Sequence, residues 1–319
     1  MQLPVGFNWD QIIGIIFGAG LVFVVFLVMA WQRRRRKAAL LERPPQRAKL
    51  RRPAGYSLQC RIDDLSERSV FALMQAVFSG SVLGLLCSGF YPLVGGVILR
   101  RFSFSEIRNE PQSYWLVSAT ALGMAVAAWL IKSIAETFRL QQEIRNCHFG
   151  LRGEQAVTEA LADGVVTAAG YTVFHDVPGD GPWNIDHVIV GPSGIFVLET
   201  KTRSRRRPNR EQADHEVLFD GQTLFFPWCD DCKAAKQVIR NADWIRLFIE
   251  GFGPAAIPVL PIIIVPGWYV KSEGKYEVKA MNAKYFASNF LPTTQRRFSP
   301  NELKPILRRL DERCRDLEF

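Results

Sequence analysis

An aspartate, a glutamate and a lysine lie close together in the chain and could act jointly on a phosphate or a metal ion. They are Asp186, Glu199 and Lys201. Carboxylate oxygens are the ligands that hard divalent cations prefer, and an ammonium group can stabilise charge that develops on a phosphate. Two carboxylates placed directly opposite each other in a sheet repel, so a bridging cation would make such a pair tolerable. The alternative is a solvated pair on the exposed face of an ordinary hairpin, with Lys201 neutralising one carboxylate.

The segments that carry these side chains predict a β-hairpin. Residues 185–190 and 195–200 are rich in strand-forming side chains, and Gly-Pro-Ser-Gly at 191–194 favours a four-residue loop. A regular register places Val190 opposite Ile195 and, further along both strands, the aspartate opposite the glutamate. Because side chains alternate between the faces of a strand, both carboxylates and the lysine then emerge on one face, at the end away from the turn.

A third carboxylate lies on a predicted helix upstream of the hairpin. Residues 151–161 have helical periodicity, and Glu154 shares an apolar stripe with Val157 and Leu161. A carboxylate turned toward a core is costly unless it is paired or bound to a metal. The alternative is a glutamate in the first turn, favoured by the helix dipole and still partly solvated.

The rest of the C-terminal half has the pattern of an α/β domain in which helices and strands alternate. Its further predicted elements are a strand at 171–177, a hairpin within 215–227, a helix at 233–248, a buried strand at 259–265, a strand at 276–281 and a helix at 303–317. Four arginines follow the hairpin and could grip phosphates, or belong to a solvated loop: Arg203, Arg205, Arg206 and Arg207.

Composition favours an anionic partner. The 319-residue chain has 40 Lys and Arg against 31 Asp and Glu, a net charge of +9, which suits nucleic acid or anionic lipid. Its six cysteines are scattered, which argues against a disulfide framework and for a reducing compartment. Cys229 and Cys232 form a single CxxC without a second pair, so a structural zinc site is not predicted.

The N-terminal part contains long uncharged segments that predict an all-α transmembrane region of about three helices. The predicted spans are about 12–31, 70–91 and 112–131, within a membrane region 1–138. A basic linker at 32–69 is expected to lie in the cytoplasm, near anionic lipid. This predicts a multi-pass protein of the cell inner membrane, with residues 139–319 as a cytoplasmic domain. A buried core helix for the first segment and a re-entrant second segment are the alternatives.

In order along the chain, three motifs resemble the nuclease-related domain, NERD, a branch of the PD-(D/E)XK superfamily. They are GLRGE at 150–154, NIDH at 184–187 and GIFVLETK at 194–201, and the resemblance covers about residues 147–265. It implies a restriction-endonuclease-like mixed sheet flanked by helices. Ile185 stands where the superfamily usually has proline, and Gln237 fits a glutamine that the family carries early in the following helix.

The resemblance also implies a metal-dependent nuclease. Asp186 and Glu199 would hold Mg²⁺ (or Mn²⁺), Glu154 would complete the site, Lys201 would position water or stabilise charge on the phosphate, and Gln237 would support the site from outside. The expected function is a membrane-anchored nuclease that hydrolyses DNA, or RNA, at the cytoplasmic face. The alternatives are a catalytically weak NERD module that binds nucleic acid or a protein partner, and a domain that only folds like a nuclease.

Overall fold

The structure is a computed structural model that describes residues 49–85, 113–162, 164–204, 213–254, 256–315 and 317–318. The chain divides into two compact units. One comprises residues 1–43 and 64–144, and the other comprises residues 44–63 and 145–319. The predicted boundary between residues 138 and 139 remains a prediction.

Two long helices run through the N-terminal part: α1 (Tyr56–Leu85) and α2 (Ser113–Leu161). Within the first unit, α1 contributes Ser69, which is buried and accepts a hydrogen bond from Gln141 Nε2 of α2 at 3.0 Å. Charged residues recur along both helices in this unit: Asp64, Glu67, Arg68, Lys132, Glu136 and Arg139.

The predicted membrane localisation is contradicted by the helices that the structure describes. In the described ranges, no helix has both the length and the apolar composition needed to cross a membrane. The prediction of a multi-pass inner-membrane protein with a lipid-embedded helical region is therefore wrong on this finding, and the span predicted at 12–31 lies outside the described residues.

A five-stranded mixed sheet forms the centre of the second unit. Its strands are β2 (Thr172–Pro178), β3 (Asn184–Gly191), β4 (Gly194–Thr200), β8 (Val259–Ile264) and β10 (Lys279–Met281), in the order β10-β8-β4-β3-β2. Strands β2, β3 and β4 pair antiparallel, whereas β4–β8 and β8–β10 pair parallel. A parallel pair needs a crossover, and helix α4 (Ala234–Phe248) lies between β4 and β8 in the chain.

The remaining elements of this unit are short apart from the C-terminal helix. They are β1 (Lys49–Leu50), α3 (Val165–Ala168), β5 (Glu216–Phe219), β6 (Leu224–Phe225), β7 (Asp230–Asp231), β9 (Tyr269–Ser272), α5 (Ala283–Tyr285), a π-helix (Phe286–Phe290), a 3₁₀-helix (Leu291–Thr293), α6 (Pro300–Cys314) and β11 (Leu317–Glu318). Strands β7-β6-β5-β9 make a second sheet, and β1 pairs with β11. The mixed α/β class predicted for this half is confirmed.

Apolar side chains cover both faces of the central sheet. Val188 and Val197 pack on one face with residues of α4 and α6, such as Val238 and Ile306. On the other face, Phe196 packs with residues of α2 and the π-helix. Because β3 and β4 are covered on both sides, their sequences are nearly continuous apolar runs. The few polar residues in them are therefore concentrated at the strand ends.

The central hairpin has the predicted register but a shorter turn. Val190 lies opposite Ile195, and pairing continues to Gly191 opposite Gly194, so only two residues lie between the strands. Gly194 has φ 126°, and a Cβ there would come within 2.7 Å of the carbonyl oxygen of Pro258. The four-residue loop predicted from the sequence is wrong because both glycines join the ladder.

Candidate active site

The two hairpin carboxylates lie at neighbouring strand ends. The antiparallel ladder of β3 and β4 runs to His187 opposite Leu198, and the next positions along the two strands are Asp186 and Glu199. The backbone N–H of Thr200 donates to Asp186 Oδ2 at 2.7 Å. This hydrogen bond fixes the half-buried aspartate against the end of β4, beside the buried glutamate.

Lys201 links the hairpin to helix α4. Its Nζ donates to Glu199 Oε1 at 2.7 Å and to Gln237 Oε1 at 3.0 Å. Asn241, one turn further along α4, donates from Nδ2 to Glu199 Oε2 at 3.3 Å. Both oxygens of Glu199 are thus held by side chains, and Gln237 contacts Lys201, whereas the supporting role that the resemblance implied for Gln237 remains a prediction.

Glu154 enters the site from helix α2. Its side chain is buried in line with Val157 and Leu161, as the helical stripe predicted. The backbone N–H of Gly55 hydrogen-bonds to this carboxylate, whereas its Oε2 has no hydrogen-bond partner among the described residues. A buried polar atom without a partner is costly, so this oxygen is available to a ligand.

The glycine before Glu154 is required by close packing at the site. A Cβ on Gly153 would lie 1.7 Å from Thr202 Oγ1, which follows the end of β4. Only a residue without a side chain lets α2 approach the chain this closely. The glycine of the GLRGE motif therefore brings the helical glutamate to the end of the hairpin.

Burial raises the pKa values of all three carboxylates, and the charge of Glu199 adds to the shifts of Glu154 and Asp186. Burial, then the charges of Asp176 and Glu199, raise the pKa of Glu154 to about 8. Burial, followed by the charges of Glu199 and Glu154, raises the pKa of Asp186 well above its usual range. Burial also raises the pKa of Glu199, although the ammonium of Lys201 opposes the shift. A cluster of this kind is stabilised by a proton or by an added cation.

The donor chemistry of this cluster fits a hard divalent cation, but its present arrangement is not that of a formed metal centre. Carboxylate oxygens with raised pKa values, one of them without a partner, are what Mg²⁺ or Mn²⁺ would use. Among the residues that the structure describes, however, no three His, Cys, Asp or Glu side chains are grouped so that they could hold a metal ion.

A fourth carboxylate, missed by the sequence interpretation, anchors the neighbouring strand. Asp176 is fully buried and accepts hydrogen bonds from Arg52 Nη1 at 3.1 Å, Ser57 Oγ at 2.7 Å, Ser57 N at 3.2 Å and Asn184 Nδ2 at 2.7 Å. It has φ 49°, a value that Asp and Asn tolerate better than most residues. The available signal was a single acidic residue within the apolar strand.

Residues 49–57 also belong to this part of the molecule, although the sequence placed them in a linker. They form β1, contribute the donors Arg52 and Ser57 to Asp176, and contribute the backbone of Gly55 to Glu154. Their basic, proline-containing composition carries no local signal of a structured segment. The linker prediction is therefore wrong from residue 49 onward, because long-range hydrogen bonds order these residues.

The arginines predicted to bind substrate are only partly described. Arg203 Nη2 forms an ion pair with Asp231 Oδ2 at 2.7 Å, and the other oxygen of Asp231 accepts from the backbone of Lys233 and Ala234 at the start of α4. Arg203 is thus engaged in holding the loop before α4. Arg205, Arg206 and Arg207 lie outside the described residues.

His187, the neighbour of Asp186, is engaged in a histidine pair. Its Nδ1 lies 2.8 Å from Nδ1 of His175 on β2, and the rings meet edge to face. Burial, followed by the charge of His175, lowers the pKa of His187 to about 3, and burial lowers that of His175 to about 4. Both rings are therefore neutral at physiological pH, and the structure gives His187 a hydrogen-bonding role.

These observations define a class of protein: an α/β domain in which acidic side chains and a lysine lie together at the end of a central hairpin. The family model described as the nuclease-related domain, NERD, matches residues 149–266. This stretch is thus nuclease-related, in agreement with the motifs. Comparisons with curated proteins and with solved structures found no match.

Proposed function

We propose that this protein is a metal-dependent nuclease that hydrolyses phosphodiester bonds of DNA, with RNA as the alternative substrate. One observation carries the proposal: within the stretch that matches NERD, the charge of Glu199 helps to raise the pKa values of Glu154 and Asp186, and Glu199 itself accepts a hydrogen bond from the ammonium of Lys201. Carboxylates that disfavour one another's ionisation next to a lysine are typical of sites that bind a cation and a phosphate.

The carboxylates would hold Mg²⁺ or Mn²⁺, which when bound supplies a Lewis acid for the phosphate and lowers the pKa of water. Asp186 and Glu199 are the first candidates, with Glu154 contributing its Oε2. The Thr200 N–H orients Asp186, and Asn241 orients Glu199. Ordered partners of this kind raise the affinity and precision of a metal site.

Lys201 would act on the phosphate by electrostatic stabilisation. Its Nζ donates to two fixed acceptors, Glu199 and Gln237, so the ammonium is positioned before substrate arrives. A preorganised cation stabilises developing negative charge without reorganising at the moment of reaction. Gln237 positions Lys201 and does not itself contact the reacting atoms.

The test is a cleavage assay with the full chain. Wild type with Mg²⁺ is expected to nick or degrade plasmid and single-stranded DNA, whereas Asp186→Asn and Lys201→Met should lose at least about a hundredfold in rate, as expected when an electrostatic group is removed. Asp243→Asn is the matched control, because this aspartate is exposed on α4 and pairs only locally with Arg246. Equal residual activity in wild type and both site variants would identify a contaminant and remove the enzyme proposal.

A non-catalytic module that binds nucleic acid is the second candidate function. It is favoured by the finding that no three acidic or other ligating side chains in the described ranges are grouped as a metal site. This candidate predicts nucleic-acid binding that EDTA does not weaken, together with no cleavage under any divalent metal. Metal-dependent cleavage abolished by Asp186→Asn would exclude it.

A further inference from the structure

A ribbon of arginine and aromatic side chains begins beside the acidic cluster and follows helix α4. We call it the arginine–aromatic ribbon, and it consists of Arg240, Trp183, Trp244, Phe248, Arg309 and Phe252. The proposed nuclease mechanism uses none of these residues.

The first half of the ribbon is a continuous series of ring contacts. The guanidinium of Arg240 lies over the ring of Trp183 at 5.2 Å from its centroid. Trp183 meets Trp244 edge to face at 5.5 Å, and Trp244 stacks on Phe248 at 4.8 Å with an interplanar angle of 15°. Both tryptophans are half-buried, whereas Arg240 is exposed.

The second half adds another arginine from helix α6. The guanidinium of Arg309 lies over Phe248 at 4.5 Å and over Phe252 at 4.0 Å, and Phe252 is 39% exposed. Within the described ranges, neither Arg240 nor Arg309 forms an ion pair with a carboxylate. Arg309 donates from Nε to the carbonyl oxygen of Phe248 at 2.7 Å, and Arg240 donates from Nη2 to Asn241 Oδ1 at 3.3 Å. A guanidinium group has five N–H donors, so each arginine can also donate to an anion. The nearby Arg313 differs, because it is paired with Asp180.

The ribbon starts at the candidate active site. Burial raises the pKa of Glu199, and the positive charges of Lys201 and then of Arg240 oppose this shift. Gln237 and Asn241 of the same helix contact the site directly. From Gln237 to Phe248, α4 advances about 16 Å at 1.5 Å per residue. Consecutive bases of one stacked strand are about 3.4 Å apart, so this length accommodates several nucleotides.

We propose that the arginine–aromatic ribbon binds a single strand of nucleic acid and leads it to the acidic cluster. Unpaired bases stack on aromatic rings and on arginine planes, and the charges attract the phosphates. A duplex keeps its bases stacked inside and cannot use such a surface. The inference rests on the proposed function for its substrate class and adds the strand state of that substrate.

The test measures binding without catalysis. Fluorescence anisotropy of labelled oligodeoxythymidine is recorded with the full chain in EDTA, and a duplex of equal length is measured in parallel. Wild type is expected to bind the single strand at least about tenfold more tightly. Arg240→Ala and Phe252→Ala should each weaken this binding about five- to a hundredfold, the range of one stacking contact, with duplex binding unchanged.

Arg308→Ala is the matched control. This arginine is exposed on α6 and pairs only with Glu312, one turn away, so removing it subtracts the same charge without touching a ring. Thermal melting of each variant verifies that it folds. If Arg308→Ala weakens single-strand binding as much as Arg240→Ala does, the loss of affinity is explained by net charge alone, and the proposal is overturned.

The outcomes separate this inference from the proposed function. If the full chain cleaves DNA but the ribbon variants bind and cleave like wild type, the ribbon proposal fails and the nuclease proposal stands. Equal affinity for single strand and duplex, or equally tight binding of polyglutamate, would also overturn it. If wild type binds the single strand through the ribbon but cleaves nothing, the nuclease proposal fails alone.

Discussion

The buried carboxylate of Asp176 supports a prediction about stability. We expect Asp176→Asn to destabilise the second unit strongly, because the substitution removes the charge that balances Arg52 while it preserves the shape of the side chain. Asparagine also tolerates the positive φ of this position, whereas alanine would add backbone strain. The effect of the asparagine variant therefore reports the lost ion pair and hydrogen bonds.

The magnitude follows from the partners of Asp176. Its side chain is fully buried, and Arg52 is only 17% exposed. Removing one member of such a buried pair leaves an uncompensated charge, which typically costs about 3–5 kcal/mol. A domain of this size loses about 2–4 °C in Tm for each kcal/mol, so we expect the Tm to fall by about 6–20 °C.

Thermal and urea unfolding, followed by circular dichroism, measure this change. Asp243→Asn is again the matched control: it removes an exposed ion pair on α4, which is worth about 0.5 kcal/mol or less. If Asp176→Asn melts within about 3 °C of wild type, residues 52–57 are not held by this carboxylate. The role assigned to the segment would then be refuted.

Three further predictions concern single residues at the site. The pKa of His187 is lowered to about 3, so below pH 6.5 the unfolded chain binds more protons than the folded chain and stability decreases as the pH decreases. His187→Gln should reduce this dependence between pH 6 and 4 by about 1.4 kcal/mol per pH unit, measured by urea unfolding at stepped pH. The pKa of Glu154 is raised to about 8, so between pH 4.5 and 8 the folded chain binds more protons than the unfolded chain and stability decreases as the pH rises. In EDTA, the free energy of unfolding of Glu154→Gln should therefore increase relative to that of wild type from pH 5 to 8. A difference in unfolding free energy that stays constant over this range would contradict the prediction. Gly153→Ala should lower the Tm by several degrees through its clash with Thr202, and Thr202→Gly should restore part of the loss; an additive double variant would show that the contact is not responsible.

Local sequence patterns predicted the hairpin and the burial of Glu154, because both depend on the side-chain periodicity of a single strand or helix. The apolar alternation and the glycines predicted the hairpin and its register at Val190 and Ile195. The 3.6-residue stripe predicted that Glu154 turns toward the core. In the N-terminal part, the uncharged segments predicted membrane spans, whereas no helix in the described ranges has both the length and the apolar composition to cross a membrane.

The sequence by itself determined which residue types reach the candidate site: the hairpin carboxylates, Lys201 and the helical Glu154 follow from periodicity along single elements. Only the tertiary structure decided what surrounds them. Arg52 and Ser57 reach Asp176 across more than a hundred residues, and Arg240 and Arg309 meet aromatic rings from other elements. Side-chain periodicity is a local property of one helix or strand, whereas these contacts depend on how separate elements pack, which no local pattern encodes.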